Sequence, residues 1–223
     1  LLKIRTLGDF MNKALLIVIL LFCLFNISAS EQSGKDGWTL KKKEDRYQIY
    51  QKKTPGSDFK DAKTIALITG SIDESFKVVT DPANFTALFN PHVERSAVLK
   101  KKEKCNEIYI LINPPLFSRR ETTVEVCYSD LSETSFKLNW KNSDTNNSAK
   151  SEYVRMNTFS GTCSFSRTEA NDELKVECIT SLDLGGSIPI FTINDINSRA
   201  VVQFIWKIYH EILNQRKNKG GQK

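Results

Sequence analysis

The sequence predicts an α+β fold, one curved antiparallel β-sheet wrapped around a long C-terminal α-helix. Three observations predict it. Thr122, Val124, Val126 and Tyr128 alternate with Thr123, Glu125, Cys127 and Ser129, and Phe136, Leu138 and Trp140 alternate with Lys137, Asn139 and Lys141. Each of those strands therefore has one face for a core and one for water. Ile193, Ile196, Ala200, Phe204, Ile208 and Ile212 recur every three or four residues and share one helix face. Val201, Ile205, Trp206, Tyr209 and Leu213 widen that face until most of the circumference needs cover. Gly185, Gly186 and Pro189 separate strands from helix, because neither structure continues through them. The helix is the most economical cover for the sheet.

Taken in order, residues 1–30 read as an N-terminal extension and a targeting segment. Lys13 gives a short positive region, Ala14 to Phe25 is an unbroken run of twelve apolar residues, and Ser28 and Ser30 stand where a signal peptidase reads small residues. This is the pattern of a secretory signal peptide, cleaved near Ser30–Glu31. The run is short for a bilayer span, so an anchor through an uncleaved signal is the alternative. Residues 31–37 read as a polar linker, 38–216 as the domain and 217–223 as a basic tail.

Within the domain, Trp38 to Glu44 reads as a short helix, Arg46 to Lys53 as a strand and Thr54-Pro-Gly-Ser57 as a turn. Thr64 to Thr69 is the core of a second strand. Ser71 with Glu74 three residues on forms a capping box that opens a helix through Phe76, Val78 and Val79 to Asp81-Pro82. Ala83 to Phe89 reads as another short helix. Strands follow at about 93–101, 106–113, 121–130, 134–142, 151–168 (with a break near Gly161) and 173–184. The last helix stops at Gly220-Gly221, with Lys207, Arg216, Lys217 and Lys219 toward the end where its dipole favours cations.

The chain has 223 residues, 40% of them hydrophobic and 26% charged, which suits one domain with a sizeable core. Net charge is +6, and two of those charges fall in residues 1–30. The remainder is mild. The dense basic stripe with interleaved aromatics of a nucleic-acid binder is missing. Lys41-Lys42-Lys43 and Lys100-Lys101-Lys102 read as solvated edges that discourage sheet-to-sheet pairing, with membrane docking as the sharper alternative.

Several separated pieces resemble one family. They are Gly37-Trp38 ahead of Tyr47-Gln-Ile-Tyr50, Asp81 with Phe89-Asn90, and Tyr109 with Pro114-Pro115 and Ser118-Arg119-Arg120-Glu121. Val154-Arg155, Asp183-Leu-Gly-Gly-Ser-Ile-Pro189 and Asn194 follow in order. From Trp38 to Leu213 the chain resembles the START (steroidogenic acute regulatory protein-related lipid transfer) domain. It departs in having Phe89 for Trp and Glu121 for Asp. The resemblance implies a helix-grip fold, a hollow between sheet and helix, and a lipid ligand there: fatty acid, phospholipid or sterol. One wall would be Ile196, Ala200, Phe204 and Ile208, the other Val124, Val126, Leu138 and Trp140. Arg120 and Arg155 are the polar candidates, Arg120 more for holding the loop after the prolines. Sterol carriers of the family set an acid against an arginine inside the cavity. Here Glu107 takes the acid's position, but Val126 takes the arginine's, which weakens the case for a sterol. An unpartnered buried carboxylate is costly, so Glu107 is expected at a wet edge or against Arg155. The polar loop Asn142–Glu152 is expected beside the cavity mouth.

Catalytic patterns are missing from the sequence. His92 and His210 stand in no nucleophile–base spacing, no Cys or His pattern suggests zinc, and no glycine-rich phosphate loop follows a strand. A cyclase- or hydrolase-like enzyme on the same fold is therefore the minor expectation, and no cofactor or metal is implied. Four cysteines follow the signal: Cys105, Cys127, Cys163 and Cys178. In an exported chain they invite disulfides. Cys163 and Cys178 lie symmetrically about one turn on apolar strand faces, so they are expected to pair. For Cys105 and Cys127 the reading stays open, because Cys127 lies on the polar face. Asn84 and Asn146 fit the glycosylation pattern. The expectation is an exported monomeric lipid carrier in transient contact with a membrane. Its rival is an interaction module whose side chains fill the cavity.

Overall fold

Alternation and register build the sheet. The computed structural model describes residues 36–81, 86, 88, 93–114, 116–143, 152–170 and 172–220. The signal segment, the helix expected at 83–89 apart from Thr86 and Leu88, His92, Asn84, Asn146, most of the Asn142–Glu152 loop and residues 221–223 lie outside them. The strands are β1 (Thr39–Lys43), β2 (Tyr47–Lys53), β3 (Lys60–Thr69), β4 (Val93–Lys101), β5 (Cys105–Ile112), β6 (Arg120–Ser129), β7 (Ser135–Asn142), β8 (Val154–Arg155), β9 (Thr158–Arg167) and β10 (Glu173–Asp183). The helices are α1 (Ile72–Thr80) and α2 (Ile190–Gly220). One ten-stranded sheet runs in the order β1-β2-β3-β10-β9-β7-β6-β5-β4, antiparallel throughout except for β8, which lies parallel beside β6. The sheet curves around α2.

Local signals explain most boundaries. Ser71 Oγ accepts the Glu74 backbone N–H at 3.2 Å and Glu74 returns a carboxylate to the Ser71 N–H at 2.9 Å, so the expected capping box opens α1. The Pro189 carbonyl accepts the Thr192 and Ile193 N–H groups at 2.9 and 3.2 Å and starts α2. Lys41–Lys43 lie on β1, and Lys100 and Lys101 on β4, the strands that end the sheet.

Three expectations change. Trp38–Glu44 is no helix: Thr39–Lys43 is strand β1, paired with β2 from Thr39↔Gln51 to Lys43↔Gln48. A helix of so few residues is marginal alone, while an open sheet edge supplies partners at once. The break in 151–168 comes at Met156–Asn157, between β8 and β9, not at Gly161. Gly161 sits inside β9, where a Cβ would collide with the Trp140 ring and come within 2.5 Å of the Ile179 carbonyl. Glycine there makes room for an indole from the neighbouring strand. Finally, the outer face of β6 is not uniformly wet. Glu121 and Thr123 are buried on it, and Tyr109 Oη donates to Glu121 at 2.8 Å.

The core lies between the inner face of the sheet and α2. Phe136 and Phe165 stack at 4.4 Å and meet Phe76, Ile68, Leu174, Ile208 and Ile212. The expected Cys163–Cys178 disulfide joins register partners on this buried face. Cys105–Cys127 joins register partners on the outer face; a polar face holds a disulfide when both partners point to it. Hydrogen bonds fix α2 at both ends. Near its start, Asn197 Nδ2 donates to the Thr180 and Lys60 carbonyls, both at 3.1 Å, and Asn197 Oδ1 accepts from Thr180 Oγ1 at 2.6 Å. Asn194 Oδ1 accepts the Lys60 N–H at 2.8 Å, and Gln51 Nε2 donates to Ser198 Oγ at 2.9 Å. Near its end, Arg216 donates to Glu74 at 2.8 Å and to Asp172 at 2.7 Å. Among the described residues no helix is long and apolar enough to cross a membrane.

Candidate functional site

The first half of α2 is held against β2, β3 and β10, and the other half of the sheet curves past it. The gap left over is a cavity of about 470 Å³. Its sheet-side wall is the inner face of β5, β6 and β7: Ile110, Ile112, Val124, Val126, Leu138 and Trp140. Its helix-side wall is Ile196, Asn197, Ala200, Val201 and Phe204. Phe159, Cys163, Leu182 and Leu184 form the floor, and Pro114, Leu116 and Phe117 form the rim of the loop between β5 and β6.

Most of the expected wall residues come together here. Val124, Val126, Leu138 and Trp140 face Ile196, Ala200 and Phe204 across the space. Ala200 is exposed as well as lining, so it marks the mouth and not the interior. Three expected residues are elsewhere. Ile208 is fully buried one turn further along the stripe, in the solid core beside Phe136. Arg155 is exposed on β8, in register with Glu121. Arg120 lies behind the rim, with its guanidinium 5.7 Å from the Phe117 ring centroid.

The acid–arginine pair of sterol carriers has no counterpart in this wall. Val126 lines the cavity. Glu107 lies on the opposite face of β5, buried, and accepts from Ser143 Oγ at 2.7 Å. The polar groups of the lining are largely engaged. Thr180 and Asn197 bond each other, and Arg199 pairs with Asp195 at the mouth. Among the described residues no carboxylate, histidine or free thiol lines the cavity; Cys163 is in a disulfide.

Sequence reasoning missed several lining residues. Ile110 and Ile112 were readable in principle, since they alternate with Tyr109 and Leu111 along β5. Phe117, Leu184 and Met156 come from loops and strand ends without periodicity, and nothing in their own spacing reports the cavity.

Sheet, gripped helix and enclosed apolar space define a helix-grip protein. No family model matches the chain, and no curated protein matches it. Solved structures do. A STAR-related lipid transfer protein from Xanthomonas axonopodis is 19% identical, with a TM-score of 0.70 over 79% of this chain and 99% of that one. Human STARD10 is 11% identical, with a TM-score of 0.71 over 86% of this chain and 79% of its own. Human StAR-related lipid transfer protein 5 is 11% identical, with a TM-score of 0.69 over 93% and 97%. At these identities the likeness is one of fold, and the fold of this chain is that of the START domain.

Proposed function

We propose that this protein is an exported, non-catalytic carrier that removes one small lipid from water. The observation that carries the reading is the cavity of about 470 Å³, walled almost wholly by apolar side chains. Each ligand methylene taken out of water there contributes about 0.8 kcal/mol. At a protein-like packing density of about 0.75 the space holds about 350 Å³ of ligand. That is the substance of one single-chain lipid or one sterol, and well short of a two-chain phospholipid. A lining without acid, histidine or free thiol among the described residues favours binding without chemistry. Export is supported by the signal-like residues 11–30 and by two disulfides. Loading at a membrane is supported by the rim: Leu116 is fully exposed, and Ile190 and Phe191 are exposed at the start of α2. A monomer suffices for this function.

Native mass spectrometry of the mature protein, purified with its co-purifying lipid, tests the reading. The expected result is one bound lipid of single-chain or sterol mass. Uptake of none of fatty acid, sterol and phospholipid would return the protein to the rival reading of an interaction module.

A further inference from the structure

The two disulfides of this chain lie in unlike places. Cys163–Cys178 is fully buried in the core between the sheet and α2. Cys105–Cys127 is half-buried on the outer face, at the end of the β5–β6 pair away from the connecting loop. A reductant in water reaches the second bond and not the first. Opening that bond does not part the two sulfurs, because the sheet holds them opposite each other. β5 and β6 stay in register from Asn106↔Val126 to Ile112↔Arg120. On the other flank the Tyr128 N–H donates to the Lys104 carbonyl at 3.0 Å, and Tyr128 Oη donates to the Glu103 carbonyl at 2.8 Å.

A third donor stands beside them. Glu125 comes two residues before Cys127, so strand alternation puts both side chains on the outer face. Cys105 Sγ, Cys127 Sγ and a Glu125 carboxylate oxygen lie within 4.8 Å of one another. A tetrahedral zinc ion, with Zn–S of about 2.3 Å and Zn–O of about 2.0–2.2 Å, wants such donors about 3.5–3.8 Å apart. Rotation of the three side chains covers the difference. Glu125 pairs with Lys102 at the surface, a partner that a divalent cation outcompetes. Two thiolates and one carboxylate carry three negative charges; a divalent ion leaves one, which the released Lys102 offsets. No linear spacing of Cys or His announces this set, because the pairing of two strands assembles it. The group shares no residue with the cavity, since Val124 and Val126 of the same strand face inward.

We propose that Cys105, Cys127 and Glu125 form a zinc site that the disulfide holds closed. A thiolate of a small dithiol reductant attacks one sulfur of the bond, and the other cysteine leaves as the thiolate. The second thiol of the reductant then attacks the mixed disulfide and releases the first cysteine. The reductant departs as a cyclic disulfide, and two electrons and two protons have passed to the protein. Zn²⁺ takes both sulfurs as thiolates and the two protons go to solvent. A Glu125 oxygen and one water complete the four ligands. The oxidised chain binds no zinc at this place, and the reduced chain binds one ion.

The test treats the mature, disulfide-bonded protein with dithiothreitol, removes the reductant without oxygen and titrates with Co²⁺. The thiolate-to-cobalt charge-transfer band and the d–d bands of four-coordinate cobalt report the ligands, and Zn²⁺ is then added. The expected result is one Co²⁺ per chain after reduction and none before, displaced by Zn²⁺. Alkylation of the reduced protein should mark Cys105 and Cys127 and leave Cys163–Cys178 linked. Cys105→Ser together with Cys127→Ser should abolish the bands. Glu125→Gln should weaken binding by about tenfold or more, since even a partner outside the ligand shell is worth that much. A reduced wild type without thiolate–cobalt bands would overturn the site. So would bands that survive the loss of both cysteines, an affinity unchanged in Glu125→Gln, or alkylation of Cys163 and Cys178 alongside the outer pair.

Discussion

The two ends of α2 carry one continuous apolar stripe and meet opposite surroundings. Ile208 and Ile212 are fully buried against the stacked Phe136 and Phe165, with Ile68 and Leu174 completing a solid core. Ile196, Ala200 and Phe204, one to three turns before Ile208, border the cavity. The helix does not make this difference; the opposing strands do. Where β7 and β9 put two phenylalanines inward, the space fills. Where β5, β6 and β7 present Ile112, Val124 and Trp140, and Gly161 lets the indole lie back against β9, it stays open. An amphipathic helix specifies that it will be covered and leaves to its partners how closely.

The comparison can be broken by truncating one residue at each end. Phe136→Ala should cost about 3–5 kcal/mol, because a tight core relaxes poorly around the lost ring. Leu138→Ala, two residues on and beside the cavity, should fall at the low end of the range for a buried leucine, about 2 kcal/mol. Urea unfolding measures both, and equal losses would mean that the two ends are packed alike.

The Cys163–Cys178 bridge comes next. It closes a loop of 15 residues, and replacing both cysteines with alanine should cost about 3 kcal/mol by chain entropy. Peptide mapping of exported protein without reduction should recover the linked pair, and free thiols at these positions would contradict it.

Arg216 gives a smaller effect at the solid end. It holds the Glu74 carboxyl down at about 2, from 4.5, and holds Asp172 below its usual range. A carboxylate depressed in the folded state adds stability above its unfolded value and loses it on acidification. Stability should therefore fall as pH drops from 4.5 toward 2, and Arg216→Gln should flatten that slope and cost about 1–2 kcal/mol near neutrality. Thermal unfolding across that window is the measurement.

The smallest stability effect belongs to the mouth. Ala200 is exposed, so Ala200→Trp should change stability by no more than about 0.5 kcal/mol. It should nevertheless block uptake of a fluorescent fatty acid. A large stability loss there would place Ala200 inside a packed interior.

What was readable in the sequence was what short-range spacing encodes. Ser71 and Glu74 announce α1 within four residues. Val124, Val126, Leu138 and Trp140 announce their wall by alternation. Ile208 was misplaced because its own periodicity cannot distinguish a hollow from a core; Phe136 and Phe165, far off in sequence, decide that. β1 was misread because its strand state is conferred by β2. Gly161 looked like a break until Trp140 was set against it. The burial of Arg120 beside Phe117 was invisible for the same reason: it follows from how the loop before β6 folds back, which spacing does not encode.

The clamps on α2 also bear on timing. Asn194, Asn197 and Ser198 tie its start to β2, β3 and β10, and Arg216 ties its end to α1 and the β9–β10 turn. A rod fastened at both ends does not swing, so the rim residues Leu116 and Phe117 are the part of the lining expected to move when a ligand enters. Amide protons should show it as two clocks. Those of the buried turn that follows Asn197, around Val201 and Ile205, should exchange at rates close to global unfolding. Those of residues 116–119 should exchange orders of magnitude faster, and ligand release should keep pace with the fast set.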